Sequence, residues 1–203
     1  MIKTIGNHKV TCASLDDQIV DQMIGGDKVD IFYCDPPWGD GASKMFATMN
    51  KKATGKEFVP LSYAKIMSRM VGLINSYVDG HVFIETGLKW EAETVEALSG
   101  SVHKIRVYRV LYNSGRKMNE SVLIHGVTNP SIVEMQFDPS GMTGGVAVPT
   151  KCIESVATKG GIVLDPCCGM GFTAKAAVHN QMRFFGNEFN SARLQKTIDF
   201  LQK

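Results

Sequence analysis

Apolar positions along the chain fall into short runs separated by stretches of helical period. Lys9–Cys12, Val29–Cys34, His81–Glu85, Lys104–Tyr112, Ser121–Ile124, Gly161–Leu164 and Arg183–Asn187 read as strands. They are short, rich in aliphatic and aromatic residues, and bounded by breakers, as strands buried in a sheet are. Between them, Asp16–Ile24, Leu61–Tyr77 (with Ser62 as cap), Lys89–Leu98, Lys151–Ala157, Thr173–Asn180 and Asn190–Gln202 read as helices. This alternation predicts an α/β fold with a mostly parallel central sheet flanked by helices. Residues 39–58 and 129–148 show neither period and are expected to be loops. Loops of that length inside a compact domain usually serve substrate or recognition. At 203 residues the chain is expected to form a single domain, residues 1–203, with a substantial core.

Composition adds little. Hydrophobic residues make up 44% and charged residues 21%, ordinary values for a globular protein. No apolar run is long enough for a membrane span or a signal peptide, so no membrane partner and a cytoplasmic location are expected. A net charge of +2 neither demands nor excludes nucleic acid. Its distribution is more informative, because residues 101–119 carry Lys, Arg and His and no acid. Lys44, Lys51, Lys52 and Lys56 form a second basic stretch. The five cysteines are odd in number and show no C-x-x-C spacing, and the histidines show no metal spacing. Free thiols and no metal site are expected.

Two stretches carry chemistry. The first is "IFYCDPPWGD", in which a buried strand runs into Asp35, Pro36, Pro37 and Trp38. Two prolines fix the backbone and leave bare carbonyls beside the acid, and the tryptophan adds a flat ring. Taken alone, the stretch reads equally as a proline-terminated strand with a core tryptophan. The second is "GGIVLDPCCGMGFTAKAAV", where a strand ends at Asp165 and Gly169-Met170-Gly171 opens a helix. The next strand ends at Glu188, about twenty residues beyond Gly169. Strand, glycine turn, helix, strand and acid form a nucleoside-binding fingerprint in its expected context. Too little chain follows for a second mononucleotide half, so the rest of the sheet must come from upstream and the element order is permuted. A carboxylate at Asp165 would repel a pyrophosphate and suits a ligand bearing ammonium and sulfonium groups.

Together the motifs resemble the S-adenosylmethionine-dependent nucleic acid amino-methyltransferases, which carry Asp/Asn/Ser-Pro-Pro-aromatic at their catalytic position. "DPPW" first and "DPCCGMG" last is similar to the permuted β-group of DNA N6-adenine and N4-cytosine enzymes. The tetrapeptide also occurs in the MT-A70-like family. The resemblance covers the chain from about Val10 to its end. It implies a Rossmann-like class I methyltransferase fold with circularly permuted motif order, and S-adenosyl-L-methionine as cofactor. Asp35, Pro36, Pro37 and Trp38 are then catalytic. Asp165, Pro166, Cys167, Gly169 and Gly171 form the cofactor loop, Glu188 is the ribose acid, Phe189 packs on the adenine, and Thr150 is a further cofactor contact. The chain departs from the family at Val148-Pro149-Thr150-Lys151-Cys152, where H-P-T-x-K is usual. It also departs at "VTCAS", where an Asp commonly ends the first strand.

In this reading Asp35 and the Pro36 carbonyl accept both hydrogens of an exocyclic amino group while Trp38 stacks on the base. Two rigid acceptors would turn the nitrogen lone pair toward the sulfonium for direct displacement. A base in a duplex must first flip out. Lys44, Lys51 and Lys52, with Arg116 and Lys117, are the candidate phosphate contacts. "DPPW" favours adenine N6 in DNA, with RNA adenine N6 and DNA cytosine N4 as alternatives. A catalytically idle binding partner is the reading from another class. Little sequence is free for recognition, so specificity is low, rests on short loops, or needs a homodimer or specificity partner.

Overall fold

The strand Val29–Cys34 (β3) sets the layering. Phe32 and Cys34 point into one apolar cluster and Ile31 and Tyr33 into another, so both faces are covered. A computed structural model describes residues 1–113 and 118–203 of the chain. Besides β3, its strands are β1 (Ile2–Ile5), β2 (His8–Thr11), β4 (Val78–Gly87), β5 (His103–Asn113), β6 (Met118–Val127), β7 (Ile162–Asp165) and β8 (Arg183–Asn187). They form one sheet in the order β1-β2-β8-β7-β3-β4-β6-β5. The five strands from β2 to β4 run parallel, and β1, β6 and β5 pair antiparallel at the edges.

Helices α1 (Ile19–Ile24), α3 (Tyr63–Tyr77) and α4 (Glu91–Leu98) supply apolar residues to the first cluster. Helices α5 (Ala147–Glu154), α6 (Phe172–His179) and α7 (Ser191–Leu201) supply the second. The expected Ser62 cap is present, its hydroxyl accepting the Lys65 N–H at 3.3 Å. Asn190 caps α7 by accepting the N–H groups of Ala192 and Arg193, both at 3.0 Å. No helix among the described residues is long and apolar enough to cross a membrane.

From β7 the chain crosses to β8 on one side, and from β3 it crosses to β4 on the other. The sheet therefore reverses its winding between β3 and β7. These two strands lie side by side and parallel, with Phe32 opposite Leu164. Ligands of open α/β sheets bind at such a point, beyond the carboxyl ends of the strands.

Three expectations need correction. Residues 39–58 are not a loop, because Gly39–Thr54 is a helix, α2. Ala42, Met45, Phe46 and Met49 recur at helical spacing, and Gly55 closes the helix in the left-handed conformation (φ 72°). Glycines and lysines mask that pattern in the sequence. The second correction is β1, a short strand that pairs with β2 and that the apolar pattern does not reveal. Thirdly, α5 begins four residues before the predicted Lys151, with Pro149 in its first turn, where a missing N–H costs nothing. Residues 129–146 remain irregular but are tied down. Leu111 N–H reaches the Met142 carbonyl at 2.7 Å and Gly141 N–H reaches that of Arg109 at 2.8 Å. The segment thus covers the edge of β5.

Candidate active site

The chain leaves β3 into Asp35-Pro36-Pro37-Trp38 and leaves β7 into Pro166–Gly171, so the two motifs meet at the point where the sheet reverses. A cavity of ≈ 420 Å³ opens over both tips. Asp35 to Trp38, Pro166, Cys167, Glu188 and Phe189 all line it, and Phe46 and Phe58 wall it from above. A second cavity of ≈ 120 Å³ lies alongside, lined by Glu85, Asp165, Cys168 and Gly169. Asp35, Cys167 and Arg193 border both.

The catalytic tetrapeptide is held in one geometry. The Trp38 indole N–H donates to Asp35 Oδ1 at 2.9 Å, and Tyr112 meets the Trp38 ring edge-on, 5.0 Å between centroids. Gly87 faces the other part of that ring, where an added Cβ would come within 3.1 Å of it. Asp35 Oδ2 takes no hydrogen bond among the described residues, and its carboxyl is exposed to solvent through the cavity.

The second loop is fastened by its own acids. Asp165, 3% exposed, accepts the Cys167 N–H at 3.0 Å and the Thr173 hydroxyl. Glu188 accepts the Gly169 N–H on Oε2 and the Asn190 N–H on Oε1, both at 2.9 Å. A carboxylate has about four lone-pair sites, so Glu188 retains capacity for ligand hydroxyls. Gly169 and Gly171 have positive φ, 53° and 83°. The space that side chains would fill is taken by α7, with Arg193 Nη2 and Thr197 Oγ1 each 2.7 Å from the would-be Cβ atoms. Close approach of α7 is thus one reason for both glycines. Phe189 faces Phe58 across 5.3 Å, tilted by 56°.

Several predicted residues lie elsewhere. The Thr150 hydroxyl donates to the Val146 carbonyl at 2.6 Å within α5, and Thr150 lines neither cavity. Lys151 pairs with Glu154 at 2.7 Å. Lys44, Lys51 and Lys52 stand on helix α2 rather than in a loop, and Lys51 is paired with Glu57. Arg116 and Lys117 fall outside the described residues. Cys12, at the end of β2, has its thiol 3.5 Å from the Phe189 carbonyl. No group of three or more His, Cys, Asp or Glu placed to hold a metal occurs among the described residues.

Residues 143–199 match the family model described as DNA methylase, that of the N6 and N4 methyltransferases. The chain resembles the DNA amino-methyltransferases. Solved structures share its fold over nearly the whole length. The M1.HpyAVI–SAM complex superposes with TM-score 0.64 at 19% identity, covering 94% of this chain and 98% of that one. TTHA0409 of Thermus thermophilus gives 0.70 at 12% identity, covering 96% and 94%. The cytosine-N4-specific PvuII DNA methyltransferase gives 0.62 at 10%, covering 96% and 86%. No curated protein matches in sequence. The class I methyltransferase fold expected from the motifs is therefore present, in permuted order.

The electrostatics of this methyltransferase fold are unusual. Burial pushes the Asp35 carboxyl up to about 6, against the opposing pull of the Trp38 N–H and Arg193. Although the cavity opens onto Asp35, protein atoms crowd it on its other sides. Burial first, and then the Asp35 charge, push Glu85 up to about 8, while the Tyr33 hydroxyl, 2.6 Å away, works against the rise. Burial raises Asp165 to about 7, and the Asp35 and Glu188 charges add to the rise. Glu188 is raised by burial too, with Arg193 opposing. Four carboxyls thus face one another around two connected cavities, a field that favours a cationic ligand and rejects a pyrophosphate.

This arrangement reverses the usual dependence of stability on pH. Asp35, Glu85 and Asp165 bind protons more tightly in the native state than in the unfolded chain. Below about pH 6.5 this is offset by His8, His81 and His125, all held under the ordinary imidazole value by burial; above it, and up to about pH 8, the native state holds more protons, so stability falls as pH rises. At the acid end Asp21, held low by Arg69 and Tyr77 although burial opposes them, loses its contribution. The melting temperature of the ligand-free protein should therefore decline between about pH 6.5 and pH 8. Glu85→Gln should flatten the upper part of that decline. A melting temperature climbing steadily from pH 6.5 to 8 would contradict the picture.

Sequence reasoning missed Glu85, Tyr33, Arg193, Phe46 and Tyr112 as members of the site. Glu85 had a usable signal, being a lone acid that closes the apolar run "HVFIE" on a strand beside β3. Arg193 had none, because it sits on an amphipathic helix among other polar residues.

Proposed function

We propose that the chain is an S-adenosylmethionine-dependent methyltransferase acting on the exocyclic amino nitrogen of a base, adenine N6 in DNA. The observation that carries this reading is the meeting of the Asp-Pro-Pro-Trp tip with Pro166, Cys167 and Glu188 in one cavity, with Gly169 lining the cavity alongside. Support for DNA comes from the family match over residues 143–199. Support for the cofactor comes from the M1.HpyAVI–SAM complex and from the four carboxyls that suit a cation.

The cofactor supplies an electrophilic methyl group on a sulfonium. Asp35 offers Oδ2 to one amino hydrogen, since Oδ1 already accepts from Trp38. The Pro36 carbonyl takes the other, fixed by a backbone with two successive proline φ angles. This pair disfavours the planar, delocalised amino group and prepares its lone pair for displacement. Once methylated, the nitrogen must shed one proton. Asp35, with its carboxyl held near 6, can take that proton at Oδ2 and release it to water through the open cavity. The Trp38 ring, fixed by Tyr112 and its own N–H bond, provides the stacking surface for a base outside its duplex. Phe58 and Phe189, in contact with each other on the cavity wall, offer an apolar surface for the cofactor adenine, and Glu188 accepts its ribose hydroxyls. Lys44 and Lys52, on the solvent side of α2, serve phosphate contacts, whereas Lys51 is engaged with Glu57.

Methylation of a mixed oligonucleotide pool with labelled cofactor, followed by digestion to nucleosides, tests the reading. N6-methyladenine is the expected product, from DNA more than from RNA. The PvuII relative is cytosine-N4-specific, so N4-methylcytosine would replace the target and keep the reaction. Cofactor binding without any transfer would leave an idle binding partner.

A further inference from the structure

The motif that would precede the glycine strand is broken in this chain, and the structure offers a replacement from the opposite end. Resting on the cofactor proposed above, we infer that Arg193 of α7 receives the α-carboxylate of its amino-acid end. That end carries an ammonium and a carboxylate on one carbon, and the site must answer both charges. Asp165 and the neighbouring acids suit the ammonium. For the carboxylate, the two nearby candidates in α5 are engaged: Thr150 with the Val146 carbonyl and Lys151 with Glu154.

Arg193 is the one cation lining either cavity among the described residues. It forms no ion pair within 4.0 Å among them, although Asp35 and Glu188 both feel its charge. Its Nη2 lies over the glycine loop, 2.7 Å from where a Cβ of Gly169 would stand. The guanidinium is held there by the Phe46 ring of α2, 5.1 Å from the centroid. A planar fork stacked on an aromatic ring, with its N–H groups beside a small polar cavity, is suited to two-pronged carboxylate recognition. The ≈ 120 Å³ cavity brings Asp165, Gly169 and Arg193 together, which places both charges of the amino-acid end within one pocket. Phe46 belongs to the helix that roofs the larger cavity, so the same contact ties the roof to the cofactor's anchor.

Calorimetric titration of the full chain with S-adenosylhomocysteine and with its decarboxylated analogue separates this role from simple structure. Arg193→Gln should weaken S-adenosylhomocysteine about ten- to hundredfold, the range for a lost hydrogen bond to a charged group. The decarboxylated analogue should bind Arg193→Gln and the unaltered protein equally, and already more weakly than S-adenosylhomocysteine binds the latter. Arg193→Lys should restore part of the loss. Equal weakening of both ligands, or of neither, overturns the assignment. If neither ligand binds the unaltered protein, the methyltransferase reading itself fails and takes this inference with it.

Discussion

Asp35→Ala should lower methyl transfer at saturating cofactor by about 10³-fold, the upper range for removing one preorganised polar contact to a reacting group. The carboxylate is the only side-chain acceptor in the tetrapeptide, and no neighbour can take its place. Glu85 and Asp165, the nearest other carboxyls around the small cavity, are pushed up to about 8 and about 7. At pH 7 Glu85 is therefore protonated and Asp165 partly so, while Asp35 is mostly ionised. The variant should bind S-adenosylhomocysteine within a few-fold of the unaltered protein. Its melting temperature at pH 8 should be unchanged or higher, because one member of a repelling cluster has gone. Asp35→Asn keeps one acceptor oxygen and should fall between the two. Labelled-methyl incorporation and a thermal melt on the same preparations decide the matter. A loss of less than tenfold would mean that the Pro36 carbonyl or a water suffices.

The second large effect concerns the roof of the site. Gly39→Ala should destabilise the fold by about 2–4 kcal/mol and displace α2. Gly39 has φ 82°, and an added Cβ would lie 2.1 Å from Trp90 Cζ2 and 2.6 Å from Cε2. Trp90 has little freedom to retreat, since its ring packs against buried Tyr63 at 4.7 Å. Tyr63 in turn hydrogen-bonds Thr86 and Thr94, at 3.0 and 2.8 Å, and its own N–H is held by Asp40 at 2.7 Å. For a chain of this size the melting temperature should drop by roughly 5–15 °C. Gly41→Ala, two residues on, is the control: it lies inside the same helix with nothing within 4 Å of a Cβ. It should stabilise by about 0.4–1 kcal/mol. Similar melting temperatures for the two variants would remove the steric account of how α2 is seated.

Patterning along the chain located most elements, because strands buried on both faces and helices with one apolar stripe each have a period of their own. Val29–Cys34 and Arg183–Asn187 match their predicted bounds. Gly39–Thr54 did not declare itself. Its stripe of Ala42, Met45, Phe46 and Met49 is interrupted by lysines and preceded by glycines that mark a tight entry under Trp90. Of the stretch 129–148 read as a loop, residues 129–146 are irregular and the last two begin α5. That reading could not foresee that this segment bonds to the edge of β5, since pairing of that kind depends on a partner more than thirty residues away.

The two motifs, their order, the alternating elements and the absence of metal-ligand spacing are local properties, and the sequence alone fixes what such residues can do: accept, stack and turn. Which of them act together is not local. The neighbourhood of β3 and β7, the four acids crowded round two cavities, the turning away of Thr150 and the arrival of Arg193 over Gly169 arise only when distant segments pack. Burial and charge repulsion depend on everything within a few ångströms, and a chain read in one dimension does not contain that distance.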